Sequence, residues 1–125
     1  MNYAEIVIRM NQNVLIPLYG KEVAPRFDLA PEALIVSLDE KGNQRERIVM
    51  LPQASAEKLC HLILTENVDT VICGGIEDEY YQYLIWKKVN VLDSVIGPYD
   101  IVLKRFANGL LKFGDIYTED VARKD

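Results

Sequence analysis

The chain of 125 residues carries 19 acidic and 14 basic side chains, a formal charge of -5, with half its residues apolar. That length suits one domain able to bury roughly two thirds of its surface, and the acidic balance opposes the phosphate neutralisation on which nucleic-acid binding depends. No apolar run approaches the roughly 18 residues that span a bilayer, and Glu5 and Arg9 interrupt the N-terminal one, so neither a membrane span nor a secretory leader is expected; cytoplasmic residence follows.

Taken in chain order, Ala4 to Met10 alternates apolar and other residues at a period of two, predicting a half-buried strand in an N-terminal extension, residues 1 to 13. Turn-forming Asn11 to Asn13 precede Val14 to Tyr19, an apolar strand closed by Gly20. Pro17 lacks an N-H for a ladder, which places it near a strand end or facing an edge. Residues Gly20 to Pro31 carry two prolines and no sustained period, so they read as a long loop. Ala33 to Leu38 and Arg45 to Leu51 form the arms of a hairpin around Asp39 to Asn43.

Ser55 supplies a cap for a helix whose Leu59, Leu62 and Ile63 share one face, ending near Asn67. Val68 to Cys73 is a short apolar strand broken by Gly74 and Gly75. Glu77, Asp78 and Glu79 open a second helix that runs to Lys88. Asn90 to Ile96 reads as a last strand, Gly97-Pro98 punctuates, and Tyr99 to Leu111 has a helical pattern. The tail, residues 112 to 125, is polar and expected to be loose. The fold class is therefore α/β: a mixed sheet of about five strands with helices on its faces, and an extra N-terminal strand. Such sheets bind ligands beyond the carboxyl ends of their parallel strands, which gathers the loops after Tyr19, after Cys73 and after the Asn90 strand.

Those loops carry a resemblance. Val14-Leu15-Ile16-Pro17, then Val23-Ala24-Pro25-Arg26-Phe27-Asp28-Leu29-Ala30-Pro31, then Ala33 to Val36, then Val71-Ile72-Cys73-Gly74-Gly75-Ile76 follow in order the motifs of the dinitrogenase iron-molybdenum cofactor biosynthesis family. The sequence resembles that family across residues 14 to 111. The family's loop reads Val-Ala-Pro-His-Phe-Gly-Arg-Ala-Pro, so Arg26 stands where the histidine would be and Asp28 where its following glycine would be. The resemblance implies a ribonuclease-H-like fold without catalysis, and a cargo of iron-molybdenum cofactor or another metal-sulfur cluster.

Guanidinium has no lone pair for a metal, so position 26 is closed to direct ligation. Arg26 is left to pair with an anionic cluster, a carboxylate or a phosphate, or to brace the loop on Asp28 or Glu22. Gly74 and Gly75 allow close backbone approach, with N-H groups that suit an anion at a helix start. Cys73 either faces the crevice as a soft-metal thiolate or lies buried in the sheet, and Cys60 reads as a core thiol. His61, the one histidine, reads as a helix surface residue or a ligand. Glu77, Asp78 and Glu79 serve the helix dipole or a hard metal, and Tyr80, Tyr81, Tyr83 and Trp86 serve packing or a protein partner, a homodimer included. No nucleophile, histidine and carboxylate assemble into a catalytic set.

Overall fold

The computed structural model describes residues 11–41 and 43–117. The strand expected over Ala4 to Met10 and the end of the tail lie outside them. Among the described residues six strands and three helices follow one another as β1 (Gln12–Tyr19), β2 (Glu22–Val23), β3 (Glu32–Leu38), β4 (Gln44–Met50), α1 (Ala56–Thr65), β5 (Thr70–Ile72), α2 (Asp78–Trp86), β6 (Asn90–Leu92) and α3 (Tyr99–Ala107). One sheet holds all the strands in the order β4-β3-β1-β5-β6, with β2 added to β1. β3 runs antiparallel to β1 and β4, whereas β5 and β6 continue parallel to β1, the mixed sheet expected from the sequence.

The central position of β1 explains its composition. Val14, Ile16 and Leu18 join Leu34, Val36 and Ile72 against Val102 and Leu103 of α3 on one face. Leu15 joins Ala33, Ile35 and Val71 against Leu59 and Ile63 of α1 and Leu84 of α2 on the other. A strand covered on both faces reads as a continuous apolar run, and each fully buried aliphatic side chain contributes roughly 1.5 to 3 kcal/mol. No helix among the described residues is long and apolar enough to cross a membrane.

Pro17 sits near the end of this central strand, shortly before Tyr19, and not at the sheet edge. Pairing with β5 stops at Leu15, and β2 takes up that side of β1 only at Leu18. Pro17 falls in the gap, and its carbonyl accepts the Ala24 N-H at 2.8 Å there. The N and carbonyl of one strand residue point to the same side, so the missing N-H faces the gap and leaves no ladder partner orphaned.

Ser55 caps α1 by accepting the Lys58 N-H at 3.3 Å. The three helices end alike. Val68, Val89 and Leu110 N-H groups reach back to the Ile63, Leu84 and Arg105 carbonyls, with Asn67, Lys88 and Gly109 left-handed just before them. These turns stop α3 at Ala107, short of the Leu111 expected from its periodicity.

The beginning of the tail is not loose. Ile96 forms a parallel bridge with Ile116, its N-H donating to the Asp115 carbonyl at 2.9 Å and its carbonyl accepting the Tyr117 N-H at 2.7 Å. Gly97 makes room for this approach, since a β-carbon there would meet the Tyr117 carbonyl at 2.8 Å.

Candidate functional site

Three loops meet beyond the carboxyl ends of β1, β5 and β6, as the strand order requires. The first leaves β2 at Val23, whose N-H donates to the Gly97 carbonyl at 2.9 Å, and runs as an extended segment along the chain that leaves β5. Arg26 and Gly75 form a parallel bridge. The Gly75 N-H donates to Pro25 and the Phe27 N-H donates to the Gly75 carbonyl, each at 2.8 Å. Phe27 then plugs the α1 side of the core within a short 3-10 turn, Phe27–Leu29. The third loop closes on the second, the Ser94 N-H donating to Gly74 and the Val95 N-H to Cys73, each at 3.0 Å. Ser94 adopts a left-handed φ of 60° to do so, an uncommon conformation for a residue with a side chain.

The first of the two glycines is thereby explained by packing. A β-carbon on Gly74 would stand 2.4 Å from the Ala24 carbonyl oxygen. The Gly75 N-H, which the sequence offered to an anion, is given to Pro25 instead.

Arg26 grips Asp28 with two parallel bonds, Nε to Oδ1 at 3.1 Å and Nη2 to Oδ2 at 2.6 Å. Of the two carboxylates weighed for it, Asp28 is the partner. The guanidinium stays 58% exposed at the rim of the joined loops. Cys73 does not face this rim. Its side chain is fully buried among the α1 and α2 packing residues, and desolvation, aided by the negative Asp93, pushes its thiol far above the usual range. The geometry therefore unites Arg26, Asp28, Gly74 and Gly75 in one loop junction and puts the Cys73 sulfur in the core behind it.

His61 lies elsewhere, on the exposed side of α1 in a recess of about 520 Å³ between α1 and α2, together with Cys60 and Tyr80. Burial, with Glu57 nearby, pushes the Cys60 thiol up to about 11. Glu77, Asp78 and Glu79 are exposed around the start of α2, where they complement its dipole. Among the described residues no three of His, Cys, Asp and Glu converge to hold a metal ion.

A second recess of about 420 Å³, beside β6, is lined by Ile76, Asp78, Tyr81, Val91, Asp93 and Phe113. Asp93 and Phe113 went unnoticed in the sequence. The one signal was an exposed aromatic in a stretch read as polar tail. With two carboxylates in its wall this recess repels anions, which leaves Arg26 as the cationic feature of the junction. The residues present thus fit an anion held by charge, or a cluster bringing its own sulfide ligands, and do not fit a bare metal ion.

A family model described as dinitrogenase iron-molybdenum cofactor matches residues 13–109. No curated protein matches the sequence significantly. Among solved structures, the crystal structure of the protein PH0822 superposes with a TM-score of 0.74 at 22% identity, covering 82% of this chain and 94% of that one. A candidate dinitrogenase, MJ0327 of Methanocaldococcus jannaschii, gives 0.67 at 25% identity over 82% of this chain and 94% of its own. The apo form of the orange protein of Desulfovibrio gigas gives 0.64 at 17% identity over 82% and 92%, a likeness of fold.

Proposed function

Because the chain belongs to the dinitrogenase iron-molybdenum cofactor family, we propose that it is a non-catalytic carrier that holds an assembled, anionic metal-sulfur cluster or a related anion by charge at Arg26. The Arg26–Asp28 pair carries this reading. Asp28 occupies the fork of the guanidinium as an internal anion, so the loop presents a bidentate donor site in the geometry that Arg offers to oxyanions and thioanions. A pair this exposed contributes about 0 to 1 kcal/mol, so a dianion can displace Asp28 at little cost.

Tetrathiomolybdate, alone and with an iron-sulfide donor under anaerobic conditions, is the probe. Retained metal and visible absorption should fall to background in Arg26→Ala, rise in Asp28→Ala and remain unchanged in Cys73→Ala. Equal retention by the native chain and Arg26→Ala would sink the proposal, and loss in Cys73→Ala would return the ligand role to the thiol.

The second reading is a module that binds a protein and no cofactor. It is favoured by Trp86, 71% exposed on α2 beside an exposed Tyr83. Partners retained equally by the native chain and Trp86→Ala would count against it.

A further inference from the structure

We infer that the recess beside β6 is a preformed site for a small organic dication, an alkyl diamine whose two ammonium groups meet Asp78 and Asp93 while its methylene chain lies on the apolar wall. The recess opens where open α/β sheets take ligands, beyond the carboxyl ends of parallel strands. Asp93 follows Leu92, the last residue of β6, and Ile76 and Asp78 belong to the chain that leaves β5 for α2. Its volume of about 420 Å³ lies within the range of small-molecule sites.

Neither carboxylate is matched by a cation of the chain. The ion pairs among the described residues are Arg26–Asp28 and Arg47–Glu66, so no basic side chain there meets Asp78 or Asp93. Both accept hydrogen bonds from neutral groups, Gln82 Nε2 donating to Asp78 at 3.3 Å and Ser94 Oγ to Asp93 at 3.2 Å. The dipole of α2 accounts for an acid at position 78 and not for one at 93, in the loop after a strand. The charge of Asp93 also reaches inward, helping to raise the Cys73 thiol. Two charges of one sign in a recess with apolar walls focus a negative potential that draws cations.

The rest of the lining selects the kind of cation. A hard metal ion takes about six oxygen ligands, whereas Ile76, Tyr81, Val91 and Phe113 supply hydrocarbon and rings. An alkyl chain packs on such a wall, and ring faces attract an ammonium as carboxylates do. Phe113 is fixed in place for this. The Lys112 N-H donates to Asp115 Oδ2 at 2.8 Å and the Asp115 N-H to the Lys112 carbonyl at 3.1 Å, closing a turn in which Gly114 holds φ of 79°. The Gly114 N-H donates to the Asp93 carbonyl at 3.1 Å and pins that turn beside the recess. Phe113 is thereby held 66% exposed, a ring outside both core clusters. Arg26 does not line the recess, so the site is independent of any cargo there.

The test titrates the isotope-labelled full chain with putrescine at low salt and follows its amide resonances by NMR. Butylamine supplies the same hydrocarbon with one charge, and magnesium supplies two charges with no hydrocarbon. Two partly exposed ion pairs and one apolar contact support weak binding, so the amides of Ile76, Asp78, Val91, Asp93 and Phe113 should shift saturably with Kd of about 0.1 to 1 mM. Butylamine and magnesium should each bind at least about fivefold more weakly. Asp93→Asn keeps the shape of the side chain and Phe113→Ala removes an exposed ring, so both variants should fold. Each should weaken putrescine at least about fivefold, and Arg26→Ala should bind it as the native chain does. No saturable shift below about 10 mM overturns the inference. So does magnesium or butylamine matching putrescine, native affinity in Asp93→Asn or Phe113→Ala, or loss of binding in Arg26→Ala.

Discussion

Gly74 passes so close beneath Ala24 that a β-carbon on residue 74 would stand 2.4 Å from the Ala24 carbonyl oxygen and 2.7 Å from that of Pro25. Both obstacles are backbone, so neither can rotate away. At Gly75 the nearest oxygen is 3.3 Å off, and a small shift suffices. Gly74→Ala should therefore lower stability by about 2 to 3 kcal/mol, as overpacking does, and Gly75→Ala by less than about 1 kcal/mol. Urea midpoints at constant slope measure both. Equal effects would mean that the loop is not docked on Gly74.

That contact also marks how far the sequence could be read. The Ser55 cap, the α1 stripe and the apolar run of β1 are local patterns, and they emerge in the structure where they were expected. The pairing of Arg26 with Gly75 joins residues about fifty positions apart, and no local period encodes it. The double glycine was legible as a place of close approach, but what approaches is the chain itself. Arg26 and Asp28, two positions apart, were legible as a pair. Pro17 was legible as lying near a strand end, but not the gap its nitrogen faces, which depends on where β5 stops pairing with β1.

The two thiols should differ in reactivity. Cys60 borders the α1–α2 recess with its thiol raised to about 11, and Cys73 is sealed in the core with its own raised further. Thiolate is the reactive form, so native Cys60 should react slowly with an aromatic disulfide near pH 8 and roughly tenfold faster per pH unit above it. Cys73 should react only on unfolding. Raised folded values favour the neutral thiol, so this contribution to stability is complete below the usual 9.0 and declines as the pH climbs toward 11. Rapid native labelling of Cys73 would place its sulfur in the crevice after all.

Asp39 holds the β3–β4 turn by accepting the Lys41 and Asn43 N-H groups at 2.9 and 2.8 Å. The bonds from Asn43 come first among the causes that keep its carboxyl below the ordinary 3.8. The ionised turn is then favoured above the ordinary value, and that support is lost as the pH falls through the lowered one. Carboxyl NMR titration of Asp39 should show a midpoint below that of a model peptide, and Asp39→Ala should abolish hydrogen-exchange protection of the Asn43 amide. A midpoint at or above the ordinary value would mean that these bonds do not form.

Lys88 is the exception among the three helix ends. Asn67 and Gly109, in the equivalent left-handed positions after α1 and α3, are residues suited to positive φ; Lys88 holds φ of 68° with a β-carbon crowding the following carbonyl. The Lys88 N-H still reaches Ile85 and the Val89 N-H still reaches Leu84, each at 2.9 Å, because Val89 and Leu84 are both anchored in the α1–α2 core. Tertiary packing therefore imposes a turn that the residue itself resists. Lys88→Gly should relieve that strain and raise stability by about 1 kcal/mol, since the left-handed penalty exceeds the extra freedom glycine gains in the unfolded chain. Lys88→Val, with a branched β-carbon in the same conformation, should lower it by a similar amount. Thermal unfolding of the three proteins in dilute solution should rank them glycine, lysine, valine. A glycine variant no more stable than the native chain would show that the charge of Lys88 at the carboxyl end of α2 outweighs the strain of its backbone.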